Sequence, residues 1–310
     1  MNFFQNPIMD GADPFITYKD GYYYLVCTEV KHISIWRSKS LSGIANGERK
    51  IVFTPQPNKA NSTQIWAPEL HWINGKWFIY YTATNDEEVY NHRMFVLESE
   101  TDDALGHYID RGVVEESNDK WAIDGTVLEM DNGELYFIWS GFKENDWPQK
   151  LYIASLDRNE PWKLLSERIL LSETTLPWEG STIEGPQILR KNGKLMIIFS
   201  ADDAGSDRYK LGMLTFTGTD PLNPNHWVKH PTPLFGTYME NNVYSPGHGN
   251  FTKSPDGKED WMIYHAAMQK GAGYNRNIRM QPFSWNDDDT PNFGVPLSTE
   301  TKIKLPSGEI

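Results

Sequence analysis

Short apolar runs alternate with polar turn dipeptides along the whole chain. Within residues 183–201, one apolar run ends at Asn192-Gly193 and a second apolar run follows directly. Both positions of an Asn-Gly turn tolerate positive φ, so this stretch predicts a β-hairpin. Comparable hairpins are predicted around four other dipeptides, the last of them weaker: Asp20-Gly21, Asn74-Gly75, Asn132-Gly133 and Asp256-Gly257.

The turn glycines recur at a long and slightly drifting spacing. They lie at positions 21, 75, 133, 193 and 257, so the steps between them lengthen from 54 to 64 residues. Strand signals at such a period, without helix signals, are typical of a β-propeller in which each repeat is one blade. We therefore predict an all-β fold, a five-bladed β-propeller that forms a single domain over residues 1–310. The last predicted strand, residues 301–305, is expected to pair in the blade begun by the N-terminus.

The repeat also aligns five residues that carry chemistry. The first strands of propeller blades line a central channel, so residues at one position of the repeat are expected to face one axial cavity. Three carboxylates, an imidazole and an indole lie eight or nine residues before the turn glycines: Asp13, Trp66, Asp124, Glu184 and His248.

The neighbours of these residues favour particular roles. Asp13 precedes a proline that keeps it extended, ahead of an apolar strand. Asp124 follows an apolar residue, and burial there would disfavour its charged form, although a structural turn aspartate is the alternative. Glu184 carries its carboxyl one methylene farther into the cavity. Trp66 offers a flat face on which a sugar ring could stack, or it belongs to the core.

Four other polar residues have more than one interpretation. His248 lies between two glycines and could hold a metal ion or water on the axis, although a lone imidazole is a weak signal for a metal site. Either Arg276 or Arg279 could enter the cavity and offset its carboxylates. Glu69 is interpreted as a buried residue bound to backbone rather than as a fourth pocket carboxylate.

Composition and charge limit the classes of binding partner that suit this chain. The net charge of −13 disfavours nucleic acid and anionic membranes, because a phosphate-binding surface needs clustered Lys and Arg. No run approaches the roughly 20 apolar residues of a membrane span. The single cysteine, Cys27, is expected to be a buried structural thiol. The chain reaches its first motif without a signal peptide, which predicts a cytoplasmic location unless such a peptide was removed. The sequence makes no prediction of oligomeric state.

Five motifs in a fixed order resemble those of a known family. Together they resemble glycoside hydrolase family 43, whose members are five-bladed propeller arabinofuranosidases, xylosidases and arabinanases. The resemblance covers nearly the whole chain, and segments such as residues 121–129 and 209–214 are similar to the exo-acting α-L-arabinofuranosidase branch. The motifs are Ala-Asp-Pro-Phe (12–15), Trp-Ala-Pro-Glu (66–69), Ile-Asp-Gly-Thr (123–126), Ile-Glu-Gly-Pro-Gln (183–187) and Pro-Gly-His-Gly-Asn (246–250).

The resemblance implies a role for each carboxylate. Asp13 would be the general base, Glu184 the general acid, and Asp124 a third carboxylate that raises the pKa of Glu184 and orients it. Hydrolysis would invert the anomeric centre, which requires a base and an acid about 6.5–9.5 Å apart.

The resemblance also implies how the other pocket residues serve a small oligosaccharide substrate. Arg276 is similar to the family's pocket arginine, His248 to its axial histidine, and Trp66 to its pocket wall. No cofactor is required, although Ca²⁺ or another ion on the axis is possible.

The implied reaction is release of terminal L-arabinofuranose from arabinan or arabino-oligosaccharides. A β-xylosidase and an endo-acting arabinanase are the alternatives within the family. Two alternatives outside enzyme function are a carbohydrate-binding propeller, which would not need three axial carboxylates, and a calcium-dependent structural propeller, for which the compact metal loop is missing.

Overall fold

A computed structural model describes residues 2–85, 91–114, 120–144 and 147–309. Five antiparallel sheets follow one another along the chain, and each is one blade of the predicted propeller. Blade 1 contains Ala12–Lys19, Tyr22–Thr28, Ile33–Ser38 and Glu48–Phe53. Blade 2 contains Thr63–Ile73, Lys76–Thr84, Arg93–Ser99 and Tyr108–Val113. Blade 3 contains Ala122–Glu129, Leu135–Gly141, Lys150–Leu156 and Ile169–Ser172.

The last two blades are more elaborate. Blade 4 contains Ile183–Lys191, Lys194–Ala201, Lys210–Phe216 and Trp227–Lys229, and Phe235–Gly236 pairs with its third strand. Blade 5 contains Tyr244–Lys253, Asp260–Ala267, Arg276–Trp285 and Met9–Asp10, and Pro291–Asn292 pairs with its third strand. Four 3₁₀ helices are described, at Ile44–Asn46, Pro177–Glu179, Pro224–His226 and Met239–Asn241. Among the described residues, no helix has the length and apolar character that crossing a membrane would need.

The predicted turns connect the first two strands of every blade. In blades 1, 2 and 4 both turn residues have positive φ, as in Asn192-Gly193 with 46° and 84°. Asparagine, aspartate and glycine tolerate this conformation best, which explains the dipeptides found there. The five-bladed β-propeller predicted from these turns is confirmed.

The hydrophobic core lies between the blades. Each of five clusters of buried apolar side chains combines residues of two adjacent blades, including the pair formed by blades 5 and 1. Cys27 belongs to the cluster between blades 5 and 1, so the predicted buried thiol is confirmed. Because both faces of each small sheet are covered in this way, no blade can bury its apolar surface without its neighbours.

A bulge interrupts the first strand of every blade at the residues nearest the cavity. The pairing register shifts there in all five sheets. The first residue of the bulge always has positive φ, between 41° and 55°. These residues are Asp13, Ala67, Asp124, Gly185 and His248.

The bulges correct the alignment made from the sequence. Trp66 and Glu184 lie one residue before the bulge, whereas Asp13, Asp124 and His248 occupy its first position. The number of residues between the bulge and the turn glycine differs by one among the blades. Counting back from the turn glycines therefore placed all five residues at one position. A β-bulge redirects side chains and increases local twist, so this single-residue offset changes where a side chain points.

Side chains from the preceding blade hold the bulges. At four junctions the N–H of the first bulge residue donates to a side chain at or near the end of the preceding blade's second strand. These contacts join Ala67 to Thr28 Oγ1 (2.7 Å), Asp124 to Thr82 Oγ1 (3.2 Å), His248 to Ser200 Oγ (2.8 Å) and Asp13 to His265 Nδ1 (3.1 Å). At the fifth junction Ser140 Oγ donates to the carbonyl of Ile183 at 2.8 Å.

The N-terminal segment closes the ring. Met9–Asp10 pairs with Ile278 and Asn277 of blade 5, so residues that precede blade 1 supply the outer strand of the last blade. The prediction for the final strand is wrong, because Ile303–Lys304 pairs with Phe3–Phe4 in a separate two-stranded sheet. Blade 1 already has four strands from its own repeat, so it has no place for the C-terminal strand.

Asn6 fastens the closing segment, and its replacement tests the importance of closure. Its side-chain amide donates to the carbonyl of Met280 and accepts from the N–H of Met280, both at 2.9 Å. Asn6→Ala leaves both buried backbone groups without this partner, so we expect a loss of about 2–4 kcal/mol in the free energy of unfolding. Chemical denaturation measures this loss. The matched control is Asn292→Ala at an exposed position of the short strand Pro291–Asn292, for which we expect a change within about 0.5 kcal/mol; equal effects would contradict the closing role.

Candidate active site

A cavity of 970 Å³ is lined by residues from the first strands of all five blades. It contains every site residue predicted from the sequence. The bulges bring these residues together although the outermost two are 263 positions apart in the chain. They are Asp13, Trp66, Asp124, Glu184, His248 and Arg276.

Asp13 is surrounded by hydrogen-bond donors and positive charge. Its carboxylate accepts from Thr28 Oγ1 at 2.7 Å and lies 3.2 Å from the Arg276 guanidinium. His248 Nδ1 is 3.3 Å from the same carboxylate. Burial acts to raise the pKa of Asp13, but Arg276, His248 and His265 outweigh it and hold that pKa well below its usual range. Asp13 is therefore ionised at neutral pH.

His265 completes the surroundings of Asp13. Its Nδ1 lies 3.2 Å from the Asp13 carboxylate, and the ring is fully buried. Burial, with the nearby charge of Arg276, lowers the pKa of His265 to about 3, so the imidazole is neutral near neutral pH. Arg276 is therefore the permanent positive charge beside Asp13.

Glu184 is held by two donors from neighbouring strands. Tyr209 Oη donates to its Oε1 at 2.8 Å, and Gln149 Nε2 donates to its Oε2 at 2.9 Å. Burial raises the pKa of Glu184, although these two hydrogen bonds and the charge of His248 act against the rise. The charge of Asp13 adds to the rise. The pKa values of the two carboxyl groups are thus displaced in opposite directions.

Asp124 is buried close enough to the other two carboxylates for their charges to affect its pKa. Burial raises its pKa well above the usual value, and the charges of Glu184 and Asp13 add to the rise. Its Oδ2 accepts the N–H of Gly185 at 3.1 Å, which fixes it to the bulge of blade 4. The nearby carboxylates thus act strongly on the pKa of Asp124 itself. The predicted role of Asp124, raising the pKa of Glu184, stays a prediction.

Aromatic side chains form one wall of the cavity. Trp66 stacks on His92, with ring centroids 3.8 Å apart and ring planes 23° apart. It also packs against a small cluster that contains Trp121 and Phe142. Trp66 is therefore partly buried in apolar contacts and also lines the cavity, and its role as a platform for a sugar ring stays a prediction. At the mouth, Trp147 is 52% exposed and Tyr274 68% exposed.

Glu69 and Arg279 lie outside the cavity lining. Glu69 is buried as expected, but its predicted backbone partner is wrong, because the carboxylate contacts the side chains of Gln187 and His71. The carboxylate of Glu69 therefore has its hydrogen-bond partners among the side chains next to the bulges. Arg279 is buried and its Nε donates to Asn277 at 2.7 Å. Arg276 is the arginine that enters the cavity.

The side chains around His248 are a poor set of ligands for the predicted metal ion. Ca²⁺ requires six to eight oxygen ligands, and no group of three His, Cys, Asp or Glu able to hold a metal ion occurs among the described residues. His248 instead faces Asp13. The side chains around His248 do not fit a protein cage for calcium, and the axial ion stays a prediction.

Sequence reasoning missed three polar residues of the site. His265 lies near the end of the second strand of blade 5, at the position occupied by threonine or serine in the other blades. Gln149 and Tyr209 directly precede the third strands of blades 3 and 4, and Arg276 has the equivalent position in blade 5. A search of the repeat for further recurring polar positions could therefore have identified these residues.

Comparisons with known proteins agree with this architecture. The family model described as Glycosyl hydrolases family 43 matches residues 4–291. An extracellular exo-α-(1→5)-L-arabinofuranosidase of Streptomyces avermitilis is 34% identical over 95% of this chain, and α-L-arabinofuranosidase 43 of Humicola insolens is 31% identical over 96%. The chain spans 64% of the length of each of these two relatives.

A solved structure is similar over nearly the full length of both chains. The crystal structure of an α-L-arabinofuranosidase from Lactobacillus brevis has a TM-score of 0.89 and 34% sequence identity. The similarity covers 96% of this chain and 98% of that one. Given this likeness and the match of the family model, the chain belongs to glycosyl hydrolases family 43.

Proposed function

We propose that this protein releases terminal L-arabinofuranose from arabinan or arabino-oligosaccharides by inverting hydrolysis. The observation that carries the proposal is the opposite displacement of two carboxyl pKa values in one cavity, lowered for Asp13 and raised for Glu184. Titratable groups whose surroundings push their pKa values apart divide the work of base and acid between them.

Asp13 and Glu184 perform the two proton transfers. Asp13 takes a proton from a water molecule while the water oxygen forms a bond to the anomeric carbon. The glycosidic bond breaks, and Glu184 gives its proton to the departing oxygen. Arg276 keeps Asp13 ionised in the free enzyme, and the Thr28 hydroxyl orients its carboxylate. Asp124 fixes the bulge next to Glu184 through the N–H of Gly185.

The cavity suits a neutral sugar. The aromatic wall around Trp66 offers a flat apolar surface, and the carboxylates and Arg276 offer hydrogen bonds to hydroxyl groups. The excess of acidic residues in the chain would repel an anionic polysaccharide. A binding-only role is less favourable, because it would leave the buried carboxylates and their opposite protonation preferences without a purpose.

The choice of arabinofuranoside and of exo action rests on the relatives. The proteins from Streptomyces avermitilis and Streptomyces chartreusis are both described as exo-α-(1→5)-L-arabinofuranosidases, at 34% and 33% identity. A Bacillus subtilis protein described as an endo-α-(1→5)-L-arabinanase is 26% identical over 74% of this chain. All three of these relatives are described as extracellular, whereas the location of this chain stays a prediction.

Initial rates on three substrates test the proposed specificity. We expect strong preference for an aryl α-L-arabinofuranoside over the matching aryl β-D-xyloside, and release of single arabinose units from linear arabino-oligosaccharides. A preference for the xyloside would indicate a xylosidase with the same carboxylates. Internal cleavage of arabinan would indicate an endo-acting enzyme, and no turnover of any substrate would contradict an enzymatic role.

Replacement of Glu184 tests the acid. Glu184→Ala should lower kcat by roughly 10²–10⁴-fold on substrates with poor leaving groups, because general acid catalysis contributes a factor of this size. The loss should be much smaller on activated aryl arabinosides, whose leaving groups need little protonation. Asp13→Ala should abolish both activities. The control is Glu173→Ala, which removes a partly exposed carboxylate paired with Lys150; equal losses on both substrate types in Glu184→Ala would count against the acid role.

Replacement of Arg276 tests what keeps Asp13 ionised. Arg276→Met removes the strongest influence that lowers the pKa of Asp13, so that pKa should rise. A base works only when ionised, and the low-pH limb of the kcat/KM profile should therefore move to higher pH. Arg279→Met is the matched control, a buried arginine of the same strand that does not line the cavity. An unmoved limb in Arg276→Met, or an equal movement in the control, would refute the assignment.

A further inference from the structure

We propose that Tyr209 and His265 form a positioning pair that fixes the acid Glu184 relative to the base Asp13. Tyr209 binds the acid, His265 binds the base, and the two rings pack against each other. This inference rests on the proposed function, because it assigns the pair a part in the same two proton transfers.

The contacts form a continuous path between the two carboxylates. Tyr209 Oη donates to Glu184 Oε1 at 2.8 Å. The Tyr209 ring is parallel to the His265 ring within 5°, with centroids 5.6 Å apart. His265 Nδ1 accepts the backbone N–H of Asp13 at 3.1 Å and lies 3.2 Å from its carboxylate. Both rings are fully buried, so packing restricts them to these positions.

Gly247 makes room for the pair. It pairs with His265 across the strands of blade 5. A Cβ atom at Gly247 would lie 2.2 Å from Cε1 of Tyr209, which is closer than real Cβ atoms approach. The glycine in Pro246-Gly247-His248 is therefore required by the tyrosine ring rather than by a left-handed backbone conformation.

The Tyr209 hydroxyl is a constant donor. Burial and the charge of Glu184 raise its pKa well above the usual value, so the phenol does not ionise in the working range of pH. Gln149 donates to the other oxygen of the same carboxyl group. With one lone pair of each oxygen engaged, the acidic proton of Glu184 must occupy one of the remaining positions. The two donors thereby select the direction from which the proton is delivered.

An inverting enzyme is sensitive to this arrangement. The base and the acid must leave room for a water molecule on one side of the sugar and reach the leaving oxygen on the other. A displacement of about 1 Å in such a geometry can cost roughly 10²-fold in rate. A rigid connection through two packed rings holds the acid in place without any contact between Tyr209 and the sugar.

Tyr209→Phe tests the pair because it keeps the ring and removes the hydroxyl. We expect kcat to fall about tenfold or more on aryl α-L-arabinofuranosides with poor leaving groups, since a misplaced acid loses part of its contribution. KM should change less than about twofold, because the hydroxyl is not assigned to substrate binding. On activated aryl arabinosides the loss in kcat should be clearly smaller.

Two further variants separate positioning from packing. Tyr264→Phe is the matched control, a buried tyrosine whose hydroxyl donates to Gln281 at 3.0 Å away from the cavity. Its melting temperature should fall as much as that of Tyr209→Phe, while its dependence on the leaving group should equal that of the wild type. Gly247→Ala displaces the Tyr209 ring and should reproduce the leaving-group dependence of Tyr209→Phe.

The outcomes distinguish the two proposals. If the wild type hydrolyses no aryl arabinofuranoside, the proposed function fails. If the wild type is active and Tyr209→Phe loses the same factor on every leaving group, or shows no loss, the positioning pair is refuted while the proposed function remains. The pair is also refuted if Tyr264→Phe shows an equal change in leaving-group dependence.

Discussion

The structure depends on a strained backbone conformation at each bulge, which a single blade cannot stabilise alone. The first residue of every bulge has a positive φ, a conformation that costs energy for Asp13, Asp124 and His248. A side chain from the preceding blade binds the N–H at most of these positions, so the strain is compensated between blades rather than within them. The cavity is consequently a property of the closed ring. Side-chain direction at the site is set by contacts that a single repeat does not contain.

The sequence was sufficient for the fold because turns and apolar runs are local signals. Asn192-Gly193 needs only its own φ preferences to start a hairpin, and five such hairpins define five blades. Five of the six cavity residues followed from the same repeat, and Arg276 did not. The one-residue offset of Glu184 did not, because it depends on where the pairing register shifts. His265 and Tyr209 were missed because their importance comes from partners distant in sequence, Asp13 and Glu184, rather than from their own neighbours in sequence.

The electrostatics of the site depend on how the neighbours of each carboxyl group offset its removal from water. Asp13 and Glu184 are both removed from water, which alone would raise both pKa values. Asp13 has a guanidinium beside it, whereas the direct partners of Glu184 are a neutral phenol and an amide. One carboxyl therefore ionises and the other retains its proton more strongly. The difference between the proposed base and the proposed acid lies in the neighbours and not in the two carboxyl groups themselves.

The seam between blades 5 and 1 has a consequence for the order of events during synthesis. Asp13 leaves the ribosome before blades 2 to 5, whereas Arg276 follows 263 residues later. The strand that carries Arg276 also pairs with Met9–Asp10. The nascent chain thus holds the proposed base without the cation that offsets its burial until the last blade has been translated. The complete cavity therefore forms at one late moment, when the segment that precedes blade 1 pairs with blade 5.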